Sequence, residues 1–118
     1  MIPLPETIVC RAQSEHRLEL EFALTPEHPC FAGHFDGLPV LAAVVQIGWA
    51  QALAERYFDR RFVFRALQSN KFQQLIRPPV TLTVELEYRP EKELLTFSYR
   101  NARGLCSKGA ISVQAAVP

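Results

Sequence analysis

The sequence predicts an α+β domain: one buried helix against a large antiparallel sheet. Three observations carry this. Strand-like segments of period two stand before residue 25 and after residue 61. One stretch, 40–58, is apolar around most of a helical wheel. A chain of 118 residues fits one domain and leaves no room for a second of ordinary size.

Residues 7–13 read as a first strand. Residues 17–24 alternate Leu18, Leu20, Phe22 and Leu24 with Arg17, Glu19 and Glu21, so this strand is half buried. Ser14-Glu15-His16 between them has hairpin length. Residues 25–39 hold three prolines and two glycines, which excludes helix and central strand. The same segment carries Phe31, Phe35 and Leu38, so it is expected to pack onto the body of the protein. Residues 40–58 form the helix, with Pro39 at its entrance and Glu55, Arg56, Asp59, Arg60 and Arg61 at its wet end. Strands follow at 62–72, 80–89, 94–100 and 105–115, with a turn at Asn101–Gly104. The sheet therefore has about five to six strands.

Apolar residues are 48% and charged residues 21% of the chain, the balance of a globular domain. Thirteen basic and twelve acidic residues leave a net charge of +1, which predicts no nucleic-acid partner. The most apolar stretch, 38–53, is interrupted by Gln46 and Gln51 and is too short for a membrane span. Cys10, Cys30 and Cys106 are odd in number and without a CxxC spacing. They are expected to be reduced thiols in the cytoplasm, forming neither disulfide nor metal site. No cofactor is expected. The N-terminus has neither a basic segment nor a long apolar run, so no signal peptide is expected.

Of the three histidines, His16 falls in a hairpin turn and His28 between Glu27 and Pro29, both expected at the surface. His34 follows Gly33 and precedes Phe35 in the tucked loop ahead of the helix. A titratable ring there, near the unpaired N–H groups of a helix start, is the candidate for chemistry.

The run Cys30-Phe31-Ala32-Gly33-His34-Phe35-Asp36-Gly37-Leu38-Pro39-Val40-Leu41 resembles the F-x-G-H-F-P-G-x-P signature of the hotdog-fold β-hydroxyacyl-(acyl carrier protein) dehydratases. Val44-Val45-Gln46-Ile47-Gly48-Trp49-Ala50 is most similar to the dehydratase-like proteins of aryl-polyene and fatty-acid-like pathways. Lys71-Phe72 and Leu75-Ile76-Arg77-Pro78 resemble the family's third-strand segment. The resemblance implies a helix wrapped by the sheet, a dimer joined edge to edge, and sites at the subunit boundary. It also implies that His34 removes the Cα proton of a 3-hydroxyacyl thioester, carried by an acyl carrier protein or coenzyme A. The Ala43 backbone N–H then polarises the thioester carbonyl, where negative charge develops.

Two departures stand out. The family's Pro-Gly pair at the helix start is Ala42-Ala43 here, which adds a Cβ beside the acyl group. The family's carboxylate, fourteen positions after the histidine, is replaced by Gly48. Gln51, nearly one turn on, can orient a hydroxyl or water but is no acid. Glu55 lies two turns on, and Asp36 stands where the family has proline. None of the three fully replaces the missing acid. The expected function is thus a dehydratase-like protein with an impaired site. The alternatives are a non-catalytic or half-site subunit pairing with a paralogous dehydratase, and less favourably a hotdog thioesterase; a homodimer or heterodimer is expected. Trp49 is expected as a core or interface anchor, Arg77 as a strand end, and Cys30 as inert.

Overall fold

The computed structural model describes residues 2–32 and 37–116. Strands β1 (Val9–Gln13) and β2 (Arg17–Leu24) precede helix α1 (Ala43–Phe58), and β3 (Phe62–Phe72), β4 (Val80–Arg89), β5 (Leu94–Asn101) and β6 (Gly104–Ala115) follow it. One sheet holds all six in the order β1-β2-β4-β5-β6-β3, with every pairing antiparallel. Two single 3-10 turns, Pro29–Phe31 and Pro90–Lys92, each begin at a proline, whose fixed φ suits the first position.

The period-two pattern sets which face is buried. Leu18, Leu20, Phe22 and Leu24 of β2 meet α1 together with Leu82, Val84, Leu86 and Tyr88 of β4 and Leu95, Phe97 and Tyr99 of β5. From α1, Val45, Gln46, Trp49, Ala50, Leu53 and Ala54 are buried, a stripe of helical period. The opposite side is open: Ala43 and Gly48 are exposed, and Val44 keeps 73% of its surface. Within one chain, therefore, the sheet covers only one side of a helix whose composition suggested cover all round.

The helix also starts at residue 43, three positions later than its apolar pattern suggests. Residues 40–42 are held by tertiary bonds instead. The Leu41 N–H donates to the Ile76 carbonyl at 2.9 Å, and the Gln46 side-chain amide donates to the Leu41 carbonyl at 3.0 Å. Ala42 is then the extended N-cap residue (φ −64°, ψ 147°), and its carbonyl accepts from both Val45 and Gln46. Asp59 ends the helix in the left-handed region, its N–H bonded to the Glu55 carbonyl.

Gly109 in β6 packs tightly under β5. A Cβ placed there lies 2.6 Å from Phe97 Cζ and 2.8 Å from the Ser69 carbonyl oxygen. The Phe97 ring is buried and the Ser69 carbonyl is backbone, so neither moves away cheaply. Gly109→Ala is expected to cost roughly 1–3 kcal/mol, read as a drop in denaturant midpoint at unchanged m-value.

Cys30 and Cys106 are buried free thiols, and Cys10 is an exposed one. Burial pushes the Cys30 thiol up to about 11 from 9.0, and raises Cys106 as well. The unfolded chain therefore releases these protons at lower pH than the native one. For Cys30 the stabilisation is complete below pH 9 and is lost as pH rises through its native value near 11. Melting scans between pH 8 and 11 should show a falling melting temperature, with a shallower fall in Cys30→Ala. A flat profile would contradict burial of the thiol.

Candidate functional site: the helix entrance and its open face

The site expected from sequence centres on His34. His34 and Asp36 both lie outside the described residues, but the chain on either side is well anchored. Before them, Cys30 and Phe31 are buried in the core; after them, Val40 and Leu41 are. His28 caps the turn that leads in. Its Nδ1 accepts the Cys30 N–H at 3.0 Å, so Nε2 carries the proton and faces the Leu4 carbonyl at 3.4 Å. Its ring meets Trp49 edge-on with centroids 5.6 Å apart. His28 is thus a half-buried structural residue, not the surface histidine its charged and proline neighbours suggested.

A buried polar network fixes the helix entrance. Gln46 retains 3% of its surface. Its amide donates to the Leu41 carbonyl, and its Oε1 accepts the Ser107 hydroxyl at 2.6 Å. The Tyr99 hydroxyl donates to the Gln46 backbone carbonyl, also at 2.6 Å. Burial pushes the Tyr99 phenol well above its ordinary range, so it remains a donor. Strands β5 and β6 thereby hold the first turn of α1 and the peptide leading into it. Nothing in the expected chemistry used Gln46. The signal was there: it is the one polar side chain on the stripe 45/46, 49/50, 53/54.

Ala43 is the first helical residue and is exposed. N–H groups in a first helical turn have no acceptor within the helix, and alanine at the N-cap supplies none from its side chain. The Ala43 N–H is bonded to no acceptor among the described residues. Positive dipole charge therefore faces an accessible surface at this end. Gly48, five residues further on, is exposed, and a Cβ there meets no atom within 4 Å among the described residues.

Gln51 and Glu55 act together elsewhere. Gln51 donates to the Phe62 carbonyl at 3.0 Å, and the Glu55 carboxylate accepts the Phe62 N–H at 2.8 Å. One turn of α1 thus clamps both backbone groups of the residue that opens β3. Trp49 is buried against Phe22 and His28, and its indole N–H has no partner among the described residues. Arg77 is exposed between Ile76 and Pro78. No metal-holding cluster of three His, Cys, Asp or Glu residues occurs, and no helix is long and apolar enough to cross a membrane, among the described residues.

An uncovered surface continues from the helix. Strand β3 ends the sheet, so one of its edges has no partner among the described residues. Val63 and Phe64 on it are about half exposed, at 52% and 47%. Exposed apolar side chains on an open strand edge mark an association surface.

Solved structures share this architecture. The dehydratase heterocomplex ApeI:P from Xenorhabdus doucetiae contains a chain 29% identical to this one, with 96% of this chain and 98% of that one covered and a TM-score of 0.82. An uncharacterized protein from Erwinia carotovora subsp. atroseptica is 30% identical over 98% of both chains, with a TM-score of 0.80. A hypothetical thioesterase from Streptococcus pneumoniae TIGR4, crystallised with coenzyme A, is 8% identical over 95% of this chain and 88% of that one, with a TM-score of 0.72; it shares the hotdog fold alone. No curated protein sequence matches the chain significantly. Residues 10–110 match the ApeI-like family, described as ApeI dehydratase. With one helix on a six-stranded antiparallel sheet and this match over most of its length, the chain belongs to the ApeI-like dehydratase family.

Proposed function

We propose that this protein is a dehydratase-like subunit acting on 3-hydroxyacyl thioesters in fatty-acid or polyene synthesis, with a site that lacks its acid. The observation that carries the reading is the open second turn of α1. Gly48 stands exposed five residues from the uncapped Ala43 N–H, and a Cβ placed on it meets no atom of the described residues within 4 Å. In this reading His34 takes the Cα proton, and the Ala43 N–H stabilises the oxyanion that develops on the thioester carbonyl. The β-hydroxyl leaves poorly because no carboxylate protonates it. The thioester is carried by an acyl carrier protein or by coenzyme A.

A second reading rests on the same glycine and on the similar chain's presence in a heterocomplex. Here the protein is half of a heterodimer, joined through β3 and the open face of α1. A paralogue supplies the carboxylate that completes the site around His34. The thioesterase reading ranks below both, since it also needs a helix carboxylate or an activated water.

The deciding experiment follows enoyl product from a 3-hydroxyacyl carrier protein, with the protein alone and after co-purification from its native host. Slow turnover alone, lost in His34→Ala, supports the first reading. Turnover only in the co-purified pair supports the second. Turnover alone that is indifferent to His34→Ala removes both.

A further inference from the structure

The outer face of the sheet, turned away from α1, carries an arrangement that the proposed chemistry does not use. Strand register places Glu19, Glu85, Ser98, Lys108 and Lys71 directly opposite one another across β2, β4, β5, β6 and β3. Directly paired residues on antiparallel strands project to the same face, so the five form one row. They cross the floor of a trough of about 730 Å³ that runs from β1 to β3.

The row is divided by sign. Glu19 faces Glu85, and Lys108 faces Lys71. Like charges directly opposite each other in a sheet are destabilising. The neighbouring row differs: there Glu87 accepts from both Arg17 and Arg89 at 2.8 Å. In the divided row, only Glu85 has an ion pair among the described residues, a loose one to Arg100 at 3.7 Å. Lys108 and Lys71 are exposed and have none there. One row is neutralised within the chain and the next is left as an acidic half and a basic half.

The two halves are symmetric about Ser98. Strands lie about 4.8 Å apart, so each like-charged pair is centred about 7 Å from Ser98 on either side. We propose that this face associates with the same face of a second copy of the chain, about a two-fold axis running along β5. That operation sets Glu19 against Lys71 of the second copy and Glu85 against Lys108, each pair occurring twice. Face-to-face sheets pack about 10 Å apart, a gap that extended lysine and glutamate side chains span together. Both like-charge conflicts become attractions across the interface. The contact is polar and mostly electrostatic, so it is weak and strongly dependent on salt.

Sedimentation velocity over a concentration series tests this, at low salt and at 1 M salt, where the screening length is about 3 Å. The low-salt species should be twice the mass of the high-salt one if that unit is a monomer, and at least twice if it is a dimer joined through β3, which carries two such faces. Lys71→Glu with Lys108→Glu makes the row wholly acidic, and Glu19→Lys with Glu85→Lys makes it wholly basic. Each double variant alone should lose the salt-sensitive species, with its dissociation constant raised at least about tenfold. Mixing the two should restore it. Lys71→Gln with Lys108→Gln serves if a charge-reversed chain does not fold, and should weaken association without reversing it. An oligomer indifferent to salt, or double variants that associate as the native chain does and gain nothing on mixing, overturns the proposal. Enzymatic activity takes no part in the readout.

Discussion

Gly48→Glu is expected to raise the rate of 3-hydroxyacyl thioester dehydration by about a hundredfold or more, the usual contribution of a positioned general acid. The same substitution should stabilise the fold slightly. Glycine costs a helix interior about 0.5–1 kcal/mol relative to a good helix former, and no atom of the described residues lies within 4 Å of the added Cβ. Rate and stability therefore rise together, which separates this variant from one that merely disturbs the site. Gly48→Gln is the control: equal in length and similar in helix propensity, but unable to donate a proton as an acid. It should reproduce the gain in melting temperature and little of the gain in rate. If Gly48→Glu melts higher but turns over no faster, the missing carboxylate is not what limits this protein. The proposed site would then have to be abandoned, although the family assignment would stand.

Gln46→Met is expected to be the most damaging polar substitution in the helix. Methionine fills a similar volume but bonds neither the Leu41 carbonyl nor the Ser107 hydroxyl, both now paired with Gln46. Each buried polar group left without a partner costs about 1–3 kcal/mol. The sum, about 2–6 kcal/mol, lowers the melting temperature by roughly 10–20 °C. Removing Ser107 as well tests the mechanism. In the Gln46→Met background, Ser107→Ala should cost less than in the native chain, or even stabilise, because no hydroxyl is then stranded. Strict additivity of the two would show that the pair is not coupled. Tyr99→Phe should cost only about 1 kcal/mol, since the Gln46 carbonyl it releases still accepts within the helix. Gln46 also holds the peptide before Ala43, so activity should fall in Gln46→Met further than loss of folded protein explains.

The strands were legible because their code is local. Alternation places β2 and β4 within their observed bounds, and a one-residue slip in their pairing would turn every side chain to the wrong face. The start of α1 was not legible. Val40 and Leu41 are as apolar as the helix that follows, and only Ile76 and the Gln46 amide, arriving from elsewhere, keep them extended. Gln46 read as an interruption of an apolar run, yet it is a buried fixture of the site. His28 looked like a surface residue because its neighbours in sequence are polar, whereas its neighbours in space are Trp49 and the Leu4 carbonyl.

The sequence by itself determined the order and type of the main elements and the family, because alternation and a short signature are properties of consecutive residues. Tertiary structure decided which polar groups are satisfied and by what. It turned Gln51 and Glu55 toward the backbone of Phe62 and left Gly48 and Val44 open. It also aligned Glu19, Glu85, Lys108 and Lys71 in one row. These depend on strand order and register, which bring together residues as far apart as 19 and 108, and no local pattern in the chain encodes that distance.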